Sequence, residues 1–259
     1  MRRNKNKIPK RNVEVLKDLI ISDDLEKLGA LIELVPSIVN CQFKTQDGGH
    51  VCYWTPLCWA VKNGSLNAIQ ILIEQGADMY YVGCQTLGFQ RSSFTAYSLA
   101  MSVPYQLKAL KKLLELGIAV DQPIASPEVT EEEGGRLSYA GYVTGLHYAV
   151  CTYNLPLSQL LLQHGASVHK LDKHGNTALH LACENASSEI IKLLAFYGGI
   201  DNSINTDCLS PFGLLWQSMS VTDRTATALD SGQVYRWMTG LGKPLLFTGV
   251  RHKPLDLKL

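Results

Sequence analysis

The 259-residue chain lacks an excess of either charge: 24 Lys and Arg stand against 23 Asp and Glu, a net charge of +1. With no global field to steer an anionic partner, nucleic acid and anionic membrane are disfavoured as ligands. It also lacks a Cys-x-x-Cys pair. Its seven cysteines, Cys41, Cys52, Cys58, Cys84, Cys151, Cys183 and Cys208, are odd in number and scattered, which argues against a disulfide framework or a zinc ribbon and for reduced thiols. Reduced thiols place the chain in the cytoplasm, with the nucleus as the alternative. No apolar run approaches the roughly 20 residues a bilayer crossing needs. The basic start, Met1 to Arg11, is not followed by an apolar core and reads as a disordered arm over 1–11, not a signal peptide.

Catalytic signatures are missing as well: no G-x-S-x-G, H-E-x-x-H or G-x-x-x-x-G-K-[ST] occurs. Gly240-Leu241-Gly242-Lys243-Pro244 has the wrong glycine spacing for a phosphate loop and a proline where the hydroxyl ligand belongs. The reading is therefore of a non-enzyme with no catalytic residue, no cofactor and no metal.

What the chain has is a recurrence. Thr55, Thr95, Thr144, Thr177 and Ser210 each open a hydroxyl, small, apolar pattern that runs into a helical stretch, and the first four end at Gly76, Gly117, Gly165 and Gly198. Thr144 to Thr177 and Thr177 to Ser210 are spaced by the bare unit of about 33 residues, and the two earlier intervals are longer. A Thr or Ser at a helix start turns its oxygen onto an orphan backbone N–H. Leu57, Ala60 and Val61, or Leu179, Leu181 and Ala182, fall on one helical face. The glycines end the second helix of each unit in a left-handed conformation. Val15, Leu16, Leu19 and Ile20, then Leu25, Leu28, Leu31 and Ile32 before Pro36, make a degenerate first unit.

Thr144-Gly145-Leu146-His147-Tyr148-Ala149 and Asp172 to Ala182, which contains Thr177-Ala178-Leu179-His180, resemble the ankyrin-repeat family, as does Thr55-Pro56-Leu57. The resemblance implies an all-α fold, an ankyrin-repeat solenoid of helix-turn-helix units with β-hairpin-like finger loops. We expect one solenoid over 12–259, with units near 12–40, 55–78, 95–121, 144–168, 177–201 and 210–244 and both ends atypical. The resemblance also implies a binding function: the finger residues and the ends of the first helices would contact a partner. Carried over, these are Tyr53, Trp54, Lys62 and Asn63; Arg91 and Phe94; Tyr142 and Tyr153; and Lys173, His174, Asn176, Glu184 and Asn185. His147 and His180 are implied to bond the backbone of the adjacent finger and are not read as a metal pair.

The two long intervals place about seven extra residues between Asp78 and Thr95 and about sixteen between Val120 and Thr144, on the same edge of the stack. They carry Tyr80 and Tyr81 in the first and Tyr139 and Tyr142 in the second, and tyrosine is enriched at protein interfaces. The expected function is a monomeric, non-catalytic scaffold that binds a protein through its fingers and concave face. The alternatives are an adaptor carrying a substrate to an enzyme complex such as a ubiquitin ligase, or a pathogen effector binding a host protein.

Overall fold

The computed structural model describes residues 8–47, 50–87, 90–102, 106–124, 144–185, 187–199 and 203–218. Within them, helices come in antiparallel pairs: α1 (Lys10–Ser22) with α2 (Leu25–Leu34), α3 (Pro56–Asn63) with α4 (Leu66–Glu74), and α5 (Ala96–Ser102) with α6 (Leu107–Glu115). Further along are α7 (Gly145–Cys151) with α8 (Leu155–Gln163), α9 (Ala178–Glu184) with α10 (Ser188–Phe196), and then α11 (Pro211–Ser218). First helices stack on first helices, from α1 to α3, α5, α7, α9 and α11, and α2, α4 and α6 stack behind them, as do α8 and α10. At the end of the expected arm, α1 begins at Lys10 and Ile8 packs on the core, while residues 1–7 lie outside the described residues. The expected second helix of the last unit and residues 125–143 fall outside the described residues.

The reason these residues start helices is visible at each cap. Thr55 Oγ1 accepts from Cys58 N at 3.1 Å, and Ser210 Oγ accepts from Gly213 N at 3.1 Å. Thr95 and Ser98 cap one another, with Ser98 N donating to Thr95 Oγ1 at 3.2 Å and Thr95 N donating to Ser98 Oγ at 2.9 Å. Thr144 with His147 and Thr177 with His180 form reciprocal capping boxes, each cap contributing about 1 kcal/mol. At the far ends, Gly76, Gly117, Gly165 and Gly198 all have φ between 82° and 95°, a conformation that closes the last turn of the second helix.

Five residues after each threonine stands an alanine. Ala60, Ala100, Ala149 and Ala182 are at most 1% exposed, so successive first helices approach closely. Two residues after each threonine, Leu57, Leu146 and Leu179 fill the space between layers, and Tyr97 takes the same place in its unit. Each such leucine contributes roughly 1.5–3 kcal/mol by leaving water. Between α6 and α8 a groove of about 270 Å³ is lined by Leu107, Lys108, Lys111, Pro156, Gln159, Leu160 and Gln163.

The fingers of the amino-terminal half are true strands. β1 (Phe43–Asp47) pairs with β2 (His50–Trp54), and β3 (Gly83–Leu87) pairs with β4 (Gln90–Phe94), so the first insertion is spent on a second hairpin. The hairpins also join, with Val51, Cys52 and Tyr53 of β2 paired to Thr86, Gln85 and Cys84 of β3. The result is one four-stranded antiparallel sheet in the order β1-β2-β3-β4.

Candidate protein-binding surface

The sheet meets the helices through an aromatic cluster. Alternation puts Phe43, Trp54 and Phe94 on the face turned to the stack, while Lys44, Tyr53, Cys84 and Ser93 share the opposite face. Trp54 and Phe94 rings lie 4.9 Å apart across Gly83. A Cβ on Gly83 would come within 2.5 Å of the Phe94 ring and 2.9 Å of the Tyr53 carbonyl oxygen, so glycine is required for that closure. Trp59, from α3, receives Trp54 and Phe43 edge to face at 5.6 Å and 5.7 Å, an arrangement that suits ring quadrupoles. Trp54 Nε1 donates to Thr45 Oγ1 at 2.8 Å, which pins the ring to β1.

Two ammonium groups stand over these rings. Lys62 Nζ is 4.6 Å from the Trp54 centroid and 5.0 Å from that of Trp59, and Lys17 Nζ, from α1, is 5.6 Å from Trp59. Each such contact is worth about 0.5–1 kcal/mol at a partly exposed site. The surface thus runs from the first helices onto the finger sheet.

The carboxyl-terminal fingers are tight turns. Asp172 Oδ1 accepts from His174 N and Asn176 N, both at 2.8 Å, and Gly175 has φ of 71°. The following finger repeats this with other residues: Asn205 Oδ1 accepts from Asp207 N at 3.0 Å and Leu209 N at 2.9 Å, and Cys208, in the glycine place, has φ of 59°. The D-x-x-G turn that the sequence hides at this copy is therefore built as Asn-x-x-Cys. Thr206 donates from both N and Oγ1 to His174 O, at 2.9 Å and 3.0 Å, linking the two fingers.

His147 shows how a finger is held to a helix. Thr144 N donates to its Nδ1 at 3.3 Å, which makes Nε2 the protonated nitrogen and the donor to Asn176 O at 3.1 Å. Burial is the main reason its pKa lies below the ordinary value of 6.5, against the opposing pull of the Asn176 carbonyl and of Asp172 and Asp121. The ring is a neutral structural link, and no cluster of three metal-ligating side chains occurs among the described residues.

The residues expected at an interface divide accordingly. Tyr53, Lys62, Asn63, Tyr80, Tyr81, Tyr153, Lys173, His174 and Glu184 are exposed, and Asn185 is half-buried at the end of α9. Tyr80 is also tethered, its hydroxyl oxygen accepting from Ala119 N at 3.4 Å. Three are engaged within the fold. Trp54 is only 5% exposed, because its place in the strand turns it into the cluster. Phe94 packs on the core for the same reason. Asn176 is engaged by its own turn and the next finger, with Nδ2 donating to Asp172 Oδ2 at 3.2 Å and Oδ1 accepting from Asn205 Nδ2 at 2.9 Å. Arg91 lies in β4 opposite Thr86. Tyr139 and Tyr142 lie outside the described residues. Sequence reasoning passed over Trp59 and Lys17. The signal for Trp59 was there, a large aromatic beside the small Ala60 on a short first helix.

The sequence matches the family described as ankyrin repeats (3 copies) over residues 12–124 and 131–206. It is similar to protein phosphatase 1 regulatory subunit 27 of Homo sapiens, 34% identical over 73 residues, covering 28% of this chain and 47% of that protein. It is similar also to ankyrin repeat and SOCS box protein 5 of Mus musculus, 37% identical over 78 residues, covering 30% of this chain and 23% of that one. The nuclear factor NF-kappa-B p105 subunit of Gallus gallus is 45% identical over 53 residues, 20% of this chain and 5% of that protein. The chain spans less than half the length of each of these relatives. The repeating caps, alanines and terminal glycines, together with a family match over most of the chain, make it a member of the ankyrin-repeat family, whose repeats are protein-interaction modules.

Proposed function

We propose that the chain is a non-catalytic scaffold, working as a monomer in the cytoplasm, that holds a protein partner against its finger sheet and the adjoining first helices. The observation that carries this reading is the continuity of the surface: Tyr53 and Lys44 on the outer face of a four-stranded sheet, and Lys17, Trp59 and Lys62 where that sheet meets α1 and α3. A surface already ordered in the free protein loses little conformational entropy on binding, so modest contacts convert efficiently into affinity. An interface of ordinary size needs about 800 Å² from each partner.

Proximity labelling in the native cells tests the reading. The parent chain is compared with a variant carrying Tyr53→Ser, Tyr81→Ser and Tyr153→Ser, with thermal melting measured in parallel. A small set of proteins lost from the variant at unchanged melting supports a binding module on this surface. The same labelled set from both chains rejects it.

The adaptor reading, delivery of the bound protein to an enzyme complex, is the second choice. Its support is the similarity to a mouse protein whose name joins ankyrin repeats to a SOCS box.

A further inference from the structure

Lys17 and Lys62 come from different first helices, α1 and α3, and both ammonium groups are drawn to the ring of Trp59. Each ammonium gains from the ring face, yet a cation–π contact supplies no acceptor for its N–H donors, which are left to water. Among the described residues the ion pairs are Lys27 with Asp24 and Lys111 with Glu115, so neither lysine of the cluster has a carboxylate. Glu14 and Asp18, the acids nearest Lys17 along α1, do not form an ion pair with it. The Nε1 donor of Trp59, buried in the same cluster, has no acceptor among the described residues. Phe43, Trp54 and Phe94 add apolar walls and no acceptor of their own, and Thr45 Oγ1 is taken by Trp54. The cluster is therefore rich in donors, short of acceptors and walled by aromatic rings.

From this imbalance we infer that the Lys17–Trp59–Lys62 cluster seats a carboxylate side chain of an acidic segment of the partner protein. The inference rests on the protein-binding reading above and gives it a chemistry. A carboxylate accepts from an ammonium, and charge-assisted bonds of this kind are shorter and stronger than neutral ones. The rings exclude water from one side of the site, which raises the strength of the pairing above that of a fully exposed ion pair. Aliphatic carbons of the acidic residue and its neighbours would lie on the indole edges. A basic or neutral segment would find two unshielded ammonium groups and be repelled or left without a partner for them. Selectivity for acidic sequence follows from these two lysines even though the whole chain carries a net charge of only +1.

The test is selection of random 16-residue peptides displayed on phage, run in parallel on the full chain, on a Lys17→Gln, Lys62→Gln variant and on Lys62→Arg. Enriched peptides rich in Asp and Glu, bound by the full chain and by Lys62→Arg but about tenfold more weakly by the double variant, as loss of a partly exposed charge pair implies, support the inference. Their affinity falls with added salt, and their binding changes the tryptophan emission of the full chain, which carries Trp54 and Trp59 in the cluster, but not that of the double variant. Enrichment of neutral or basic peptides, or of acidic peptides that the double variant binds equally well, overturns the inference and leaves the binding-module reading standing. Enrichment of no peptide on any of the three chains counts against both. A single-stranded oligonucleotide that binds the full chain through Lys17 and Lys62 more tightly than any enriched peptide also overturns the inference, because the cluster would then serve phosphate.

Discussion

Tyr97 fills the space that a side chain at position 145 would need: a Cβ on Gly145 would lie 2.5 Å from Tyr97 Oη and 3.0 Å from Met101 Sδ. The neighbouring units put leucine where Tyr97 stands, and proline or alanine where Gly145 stands, as at Pro56 and Ala178. The larger residue in α5 is matched by the smaller one opening α7. Tyr97 also donates its hydroxyl to the Val120 carbonyl, so the ring cannot move aside without losing that bond.

Gly145→Ala should therefore destabilise the chain by about 1–3 kcal/mol, the usual cost of overpacking. In a Tyr97→Leu background the same change should cost much less, since the volume has been returned. Urea denaturation of the four proteins of the cycle measures the coupling. Equal effects of Gly145→Ala in both backgrounds would show that the two residues do not compete for space.

Cys208 is a β-carbon residue held at φ of 59° in a place where the preceding finger has Gly175 at 71°. Cys208→Gly should stabilise the chain by about 1 kcal/mol, less the entropy that glycine adds to the unfolded chain. A rise in melting temperature checks it. Gly175→Ala is the reciprocal change and should lower it.

His147 must be neutral to accept from Thr144 N and donate to Asn176 O. Its pKa is lowered in the fold by burial, so the unfolded chain takes up the proton first, near 6.5. The stability it contributes is complete above about pH 6.5 and declines as pH falls from there toward the folded pKa. His147→Gln retains a side chain able to complete a capping box. It should lower melting modestly near neutrality and flatten the decline below about pH 6.5. Melting temperatures recorded from neutrality downward through about pH 6.5 give the answer.

Burial pushes the thiols of Cys58 and Cys183 up to about 11 and about 12. At pH near 8 their thiolate fraction is on the order of one in a thousand or less, and access is blocked too. Cys208 is exposed. Iodoacetamide on the native chain should label Cys208 well before Cys58 or Cys183, with all three labelled in denaturant, as read by peptide mass spectrometry.

The helices were legible because each unit marks its own ends: Thr144 and Gly165, or Thr177 and Gly198, are local signals acting on adjacent backbone. The finger sheet was not, because β2 and β3 pair across some 30 residues and no local signal in Val51 to Tyr53 or Cys84 to Thr86 specifies that register. Shifting a strand by one residue exchanges its faces, so without the register Tyr53 and Trp54 looked alike. One proved exposed and the other buried. At the fifth copy, Asn205 and Cys208 replace the aspartate and glycine of Asp172 and Gly175, and only their identical spacing could have exposed the turn. Lys17 and Trp59 escaped because their meeting is a property of stacked helices, not of either helix alone.

The pairing of β2 with β3 changes how load is shared along the chain. Repeats of a solenoid ordinarily communicate through nearest-neighbour packing alone, and each finger can yield by itself. Here the backbone ladder from Val51 to Tyr53 welds the fingers of two successive units into one plate, and Trp54, Phe94 and Trp59 bolt that plate to α3. Force applied to β4 is delivered to α3 and, through Lys17, to α1. A partner that grips an edge of the sheet is thereby coupled to α3 and, through Lys17 over Trp59, to α1.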